Sequence, residues 1–189
     1  MFGNPIDVQK SEANKKVSDF CQVISGYPFA SELFNESQSG RPLIRIRDVA
    51  RGYTETYTTE SSNDNYIIRK GDLLIGMDGM FDISPWQSED ALLNQRVCMV
   101  KPKTADITKA FVRYSVRPVL KDIEGITMGT TVKHLSASQV SNIRLPFFTK
   151  EQALQFEAIE KQADKSKFEL KNSIAAIDKV IKSLINENL

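Results

Sequence analysis

The C-terminal segment, from Thr149 to about Glu187, contains neither glycine nor proline. Thr149 and Gln152 have the spacing of a capping box, in which each residue bonds the backbone of the other at a helix start. The segment therefore predicts one helix of about 37 residues, roughly 55 Å long at 1.5 Å per residue. A helix of that length needs a surface to pack on. The rest of the chain then forms a smaller unit joined to the helix.

Apolar residues recur along this predicted helix at alternating steps of three and four, which is the a/d pattern of a coiled coil. Lysines occupy much of the remaining surface. We expect the helix to pair with a partner helix, since a domain of the remaining size is shorter than the helix; a helix lying on its own domain is the alternative. The residues predicted to face the partner are Phe156, Ile159, Ala163, Leu170, Ile177, Val180 and Leu184.

The preceding residues mix short strand patterns with short helix patterns in no regular order, which indicates an α+β domain. Period-2 alternation after Pro42 predicts a strand with Ile44 and Ile46 facing the core and Arg45 and Arg47 facing outward. The runs 66–69 and 73–77, joined by Lys70-Gly71-Asp72, predict two strands meeting at a tight turn. Residues 97–100 predict a buried strand.

Helices are predicted over about 18–23 and 107–115, the second interrupted or restarted at Pro118. Ser136 and Gln139 form a second capping box for a brief helix, and residues 142–146 predict a last strand. We therefore divide the chain into an entry segment, residues 1–13, a compact domain, 14–148, and the long helix, 149–189.

Composition narrows the function. The chain of 189 residues has a formal net charge of +1, which argues against an indiscriminate phosphate binder, although Arg41, Arg45, Arg47 and Arg51 gather locally around Asp48. No run approaches the roughly 18 apolar residues of a membrane span, and the N-terminus lacks a secretory pattern, so we expect a cytoplasmic protein. The two cysteines, at 21 and 98, suit buried reduced thiols.

Motifs for catalysis are lacking. The sequence has neither a phosphate-binding Gly-x-x-x-x-Gly-Lys-Ser/Thr loop nor Gly-x-Gly-x-x-Gly, and its single histidine, His134, has no nucleophile at triad spacing. We expect no catalytic activity, no cofactor and no structural zinc. A metal-dependent nuclease using Asp72, Asp78 or Asp82 stays open as an alternative.

Two loops carry groups suited to binding. Residues 75–81 place two glycines around Asp78 and before Met80, and residues 129–134 offer Thr130, Thr131, Lys133 and His134. Such donors beside an arginine-bearing strand fit contacts to base edges and phosphates, although either loop is equally read as a structural turn. Trp86 suits stacking on a base, but a lone tryptophan is more often part of the core.

The chain resembles the specificity (S) subunits of type I restriction-modification systems. The resemblance rests on an ordered set of motifs that spans nearly the whole chain: PLIRIRDV from Pro42, KGDLLIGMDG from Lys70, ALLNQRV from Ala91, GTTVKHLS from Gly129, IRLP from Ile143, and the helix opening at Glu151-Gln152. It implies a target recognition domain for DNA over about 14–148, followed by a spacer helix. It also implies methyltransferase subunits that use S-adenosylmethionine and an ATP-using nuclease subunit as partners of a subunit that is itself non-catalytic.

From the residues and the resemblance together, we expect double-stranded DNA to be contacted by Arg45, Arg47, Lys70, Asp78, Met80, Thr130, Thr131, Lys133 and His134. Family members usually carry two recognition units in tandem, with two antiparallel helices, and this sequence has one. We therefore expect one chain to read half of a split site and two copies to associate through their helices. The alternative is an interaction paralogue that captures the methyltransferase without reading DNA.

Overall fold

The computed structural model describes residues 3–10, 14–61, 64–126 and 134–187. The helices are α1 Pro5–Val8, α2 Val17–Phe20, α3 Asp48–Arg51, α4 Lys109–Ile126, α5 Ala137–Asn142 and α6 Lys150–Glu187. The strands are β1 Cys21–Ser25, β2 Phe34–Asn35, β3 Arg41–Ile44, β4 Tyr57–Thr58, β5 Ile67–Ile68, β6 Leu73–Gly76, β7 Ile83–Pro85, β8 Ala91–Leu93 and β9 Val97–Pro102. Short 3₁₀ turns span Ser31–Leu33 and Asp64–Tyr66. The predicted α+β class is confirmed.

The strands form two sheets. An antiparallel sheet of four has the order β1-β9-β6-β7, and a sheet of five has the order β2-β4-β3-β8-β5, in which only the pair β3 and β8 is parallel. Successive side chains of a strand point to opposite faces. Leu73 and Ile75 of β6 therefore join the cluster that contains Phe111 of α4, whereas Leu74 joins the cluster between the two sheets that contains Trp86.

The four-stranded sheet is thus the middle layer, covered by α4 on one face and by the second sheet on the other. A strand buried on both faces reads as a continuous apolar run instead of an alternation. This explains the runs at β6 and β9, and the predicted buried strand at 97–100 is confirmed as part of β9. Among the described residues, the side chains of β6 and the first four of β9 are all buried.

The two strands predicted within residues 66–69 and 73–77 are confirmed as β5 and β6, but they do not pair with each other. The tight turn exists, with Asp72 N–H donating to the Arg69 carbonyl at 2.9 Å and Gly71 at φ 87°. However, β5 pairs with β8 and β6 pairs with β7 and β9, so the turn carries the chain from one sheet to the other. Two apolar runs beside a turn predict strands, but their partners are set by the covering layers.

Three further local predictions need correction. The helix expected over 18–23 is α2, Val17–Phe20, and the chain continues as strand β1. Pro118 lies inside α4 without ending it, because apolar side chains on both sides of it, among them Val116 and Val119, are buried and offset the cost of about 3 kcal/mol for an interior proline. Residues 142–146 form no strand; Arg144 makes one isolated bridge with Lys16.

Arg45 and Arg47 were predicted to lie on a strand and to face outward, and the strand part of that prediction is wrong. Strand β3 ends at Ile44, and the chain turns into α3 because the buried Asp48 carboxylate accepts the Arg45 N–H at 2.8 Å. Gly52, at φ 78°, ends α3. Both arginines are exposed as expected, but a turn presents them.

Both predicted capping boxes are confirmed. Ser136 Oγ accepts the Gln139 N–H at 3.2 Å, and Thr149 Oγ1 accepts the Gln152 N–H at 3.3 Å. Helix α6 then has the predicted length, 38 residues. Its first turns are anchored to the part of the chain before α6, which we call the body, because Ala153 is fully buried.

Cys21 and Cys98 are free and buried. They lie on the paired strands β1 and β9. Burial raises the pKa of each thiol to about 12, because the thiolate is the form that loses water. In the part of the chain that the structure describes, no helix has the length and apolar character needed to cross a membrane.

Candidate nucleic-acid interface

Four chain connections meet at the end of the middle sheet where β6 ends and β9 begins. The loop after β6 is bonded to the turn before β9, with the Met77 N–H donating to the Arg96 carbonyl at 2.9 Å. The chain arriving at His134 joins the same loop, since the Leu135 N–H donates to the Met77 carbonyl at 2.7 Å. The turn after β3 is the fourth connection. Loops held by a rigid sheet in this way are common positions for binding residues.

Asp78 lies at the centre of these connections, and both of its carboxylate oxygens are engaged. Oδ1 lies 2.7 Å from Nδ1 of His134, and Oδ2 accepts from Nη1 of Arg96 at 2.9 Å. An ionised carboxylate only accepts hydrogen bonds, so Nδ1 of His134 carries the proton in this pair. The other nitrogen, Nε2, is then an acceptor in the neutral ring. We call Asp78, Arg96 and His134 the aspartate cluster.

A cavity of about 450 Å³ opens beside the aspartate cluster. Its apolar wall comes from Ile46, Val49 and Ala50, and a Cβ added to Gly76 would lie 2.9 Å from Ile46 Cγ1, so the glycine lets the strand and this wall approach. Met80 is 78% exposed, an unusual position for so apolar a side chain. The remaining lining residues are polar or charged: Arg47, Asp78, Asp82 and Lys121.

The cations around the cavity are paired with carboxylates. Arg117 reaches Asp82 through Nε at 2.9 Å and Nη2 at 3.1 Å, and Lys121 reaches Glu124 at 3.0 Å. Arg47 lies 3.8 Å from Asp48. Such pairing leaves this surface with little net charge, which is consistent with the near-neutral chain.

The structure brings together four of the predicted DNA-binding residues. Arg47, Asp78 and Met80 line one cavity, and His134 bonds Asp78. Arg45 is exposed two residues before Arg47. Lys70 lies elsewhere: it precedes β6 whereas Asp78 follows it, and a four-residue strand spans about 13 Å. Thr130, Thr131 and Lys133 lie outside the described residues, as does the side chain of Leu184.

Sequence reasoning missed Arg96, Arg117 and Lys121 as members of this face. Arg96 had one usable signal, a charged residue in a short polar turn between two apolar runs. Nothing in the sequence indicates that this turn meets the loop after β6. Arg117 and Lys121 carry only the four-residue spacing of one helix face, which is equally typical of a solvated surface.

The three carboxylates that the nuclease alternative would use each form an ion pair. Asp72 lies 3.1 Å from Lys109 Nζ, while Asp78 and Asp82 pair with arginines. Within residues 3–10, 14–61, 64–126 and 134–187, no group of three or more potential metal ligands is found. Trp86 belongs to the core, where it is 1% exposed and its Nε1 donates to the Glu89 carbonyl.

Known proteins similar to this chain are specificity subunits. The chain is 36% identical over 141 residues to the type I restriction enzyme EcoBI specificity subunit of Escherichia coli, a match that covers 75% of this chain and 30% of that subunit. In fold it resembles the HsdS subunit from Thermoanaerobacter tengcongensis (TM-score 0.62, 15% identity) and the type I S subunit from M. genitalium (TM-score 0.60, 14% identity). Each likeness covers 84% of this chain, and 39% and 40% of those chains respectively.

This chain therefore spans less than half the length of these relatives. Residues 10–177 match the family described as type I restriction modification DNA specificity domain, a non-catalytic recognition component of the restriction-modification complex. That match covers most of the chain, and it includes both the aspartate cluster and the larger part of α6. The chain belongs to the type I restriction modification DNA specificity domain family.

Proposed function

We propose that this chain reads one half of a split DNA sequence and directs the methyltransferase and nuclease subunits of a type I restriction-modification complex to it. In this proposal residues 14–148 are the recognition unit and residues 149–189 are the spacer and partner helix. The proposal places this activity in the cytoplasm. Family membership together with the four connections around Asp78 carries the proposal.

The geometry supports contact with DNA at that end of the middle sheet. Arg45 and Arg47 supply cations at one side, and His134 supplies a ring nitrogen at the other. Thr130, Thr131 and Lys133 lie outside the described residues and stay predicted DNA contacts because they come within four positions of His134 in the sequence. The exposed Met80 offers apolar contact to a base, such as a thymine methyl group. Lys70 is left out because β6 separates it from this surface.

The test is selection from a randomised duplex library by the full chain bound to the methyltransferase subunits of its own system, at stated salt. We expect enrichment of one short sequence, and a binding constant that falls with salt. In the Arg47→Ala variant, binding to the enriched duplex should weaken about 5- to 150-fold. Arg69→Ala, at the other end of β6, is the control and should bind as wild type.

The outcomes separate the two roles that the sequence leaves open. Enrichment of a sequence supports the reading role. If the chain captures the methyltransferase and yet enriches no sequence at any salt, the interaction role replaces it. Cleavage of DNA by the chain alone with magnesium would revive the nuclease alternative.

The second part of the proposal is that two copies pair through α6 and so bring two reading units to one split site. From residue 161 onward, the described side chains of α6 are all exposed. Ile159, Leu170, Ile177 and Val180 are between 54% and 62% exposed and lie on one stripe of that helix. Phe156 leaves this predicted set, because its ring packs 4.9 Å from Tyr114 of its own chain. Sedimentation as a monomer at tens of micromolar would contradict the pairing.

A further inference from the structure

We propose that Arg96 is a base-reading residue that takes the O6 and N7 edge of a guanine, and that Asp78 and His134 are positioning residues that hold its guanidinium for this contact. This inference rests on the proposed function and adds to it a residue, a base and a geometry. Arginine recognises guanine in the major groove through two parallel hydrogen bonds, which require a guanidinium in a fixed plane.

Three hydrogen bonds at and next to Arg96 hold its guanidinium in place. Its carbonyl accepts the Met77 N–H at 2.9 Å, which holds the turn to the loop after β6. Its Nη1 donates to Asp78 Oδ2 at 2.9 Å, which orients the guanidinium. The other oxygen of Asp78 is bonded to His134 Nδ1 at 2.7 Å, so the carboxylate itself cannot rotate freely. A side chain held in this way loses less entropy when it binds.

The guanidinium nevertheless remains available. The Arg96 side chain is 56% exposed, and a guanidinium has five N–H donors, of which the bond to Asp78 uses one. Asp78 is less exposed than its partner, at 30%. More than half of the Arg96 side chain is therefore open to a ligand while it stays bonded to Asp78.

Charge favours a base over a phosphate as the target of this arginine. The positive charge of Arg96 is balanced by Asp78 at 2.9 Å, and a phosphate approaching Arg96 would meet that carboxylate close by. A guanine edge carries partial charges only and needs geometry more than net charge. An arginine without a carboxylate partner would be better suited to phosphate.

The variants are chosen to separate geometry from charge. Arg96→Lys keeps the charge and removes the fork. Asp78→Asn removes the negative charge and one of the two acceptor oxygens that hold Arg96 and His134. Arg69→Lys is the matched control. Arg69 is also an exposed arginine near an aspartate, Asp90 at 3.8 Å, but it lies at the opposite end of β6. Because Arg96 is exposed, Arg96→Lys should melt at the wild-type temperature, which checks that the fold is intact.

The measurement is binding to the duplex that wild type enriches and to the same duplex with each guanine replaced in turn by 7-deazaguanine, which lacks the N7 acceptor. For wild type, one such replacement should weaken binding about 5- to 150-fold. Arg96→Ala should weaken binding to the unmodified duplex by a similar factor and lose sensitivity to that one replacement, whereas Arg96→Lys, which can still donate to N7, should lose less of both. Asp78→Asn should act in the same direction with a smaller factor and add little in the Arg96→Lys background. Arg69→Lys should behave as wild type.

Two results would overturn the inference. In the first, Arg96→Ala retains full sensitivity to every 7-deazaguanine replacement. In the second, Arg96→Ala weakens all duplexes equally and reduces the salt slope by about 0.9, as loss of one phosphate contact would. Both differ from failure of the proposed function, in which wild type enriches no sequence.

Discussion

In the body, the middle sheet is covered on both faces, whereas the described residues of α6 beyond residue 160 are exposed throughout. The two regions contain similar apolar side chains in opposite settings. Phe111 of α4 is fully buried, and Phe168 of α6 is 65% exposed. The body contains most of the buried core, whereas a helix in water gains most of its stability from a surface to pack on.

The difference indicates where each region obtains its stability. The body's two clusters lie on either side of one sheet, so its loops, including those around Asp78, are attached to a rigid frame. The described side chains of the outer part of α6, about 40 Å long, are exposed, and we propose that a partner stabilises this part of the helix. In this proposal the body reads DNA and α6 sets the distance between half-sites, so the two properties can change independently. The predictions below test this division.

The largest expected effect is in the body. Phe111→Ala removes a buried ring whose centroid lies 4.4 Å from that of Phe148, and it should lower the free energy of unfolding by about 3–5 kcal/mol. Urea unfolding followed by fluorescence of the single tryptophan, Trp86, measures this, because that residue is in the core. Phe168→Ala is the matched control and should change the same free energy by less than about 0.5 kcal/mol. Equal losses in the two variants would remove the distinction.

The next effect concerns association. Leu170→Asp places a charge on the proposed partner stripe and should weaken the dimer by about 2–4 kcal/mol, roughly 30- to 1,000-fold in Kd, while Trp86 unfolding of the monomer stays unchanged. Phe168→Asp is the control: it is similarly exposed, at 65% against 62%, but two residues away and so about 200° round the helix. Sedimentation velocity over a concentration series measures both. If the two substitutions weaken the dimer equally, the stripe is misassigned.

A smaller effect is expected at the start of α5, which follows the chain from His134. Ser136→Ala removes the acceptor for the Gln139 N–H and should cost about 1 kcal/mol of body stability. Ser138→Ala, inside the same helix and exposed, should be neutral or slightly stabilising, since alanine is the better helix former. Urea midpoints of both variants measure the difference. A loss from Ser138→Ala as large as that from Ser136→Ala would mean that capping is not the cause.

The sequence was a good guide wherever structure depends on neighbours in the chain. The length of α6 and both capping boxes follow from residues within four positions of one another, and each is confirmed. Strand partners were not predictable, because β5 and β6 are adjacent in sequence and belong to different sheets. Pro118 was misread for a related reason: burial on both sides of it outweighs the local preference.

The candidate site shows the same division. Asp78, Met80 and His134 were predicted from glycine-rich or polar loops and Arg47 from a strand pattern, and the structure places all four at one end of the middle sheet. Lys70, in the turn before β6, lies towards the other end of that strand. Arg96 was missed because its value comes from contact with Asp78, 18 residues earlier in the chain, across a strand pairing that the sequence does not reveal.

At pH 8 the thiols have the smallest effect on the free energy of unfolding, and their labelling compares the two regions directly. The raised pKa of Cys21 and Cys98, about 12, keeps both protonated in the folded body, whereas unfolding returns them to about 9. They therefore leave stability unchanged below pH 9 and lower it as pH rises from 9 towards 12, since the unfolded state then holds fewer protons. At pH 8 a thiol reagent should label neither cysteine until urea unfolds the body. A cysteine introduced by Asn172→Cys, exposed on α6 and away from the partner stripe, should be labelled at once. Rapid labelling of the native cysteines would mean that the body opens easily and exposes its buried thiols. The two regions would then differ in how they are packed but not in stability.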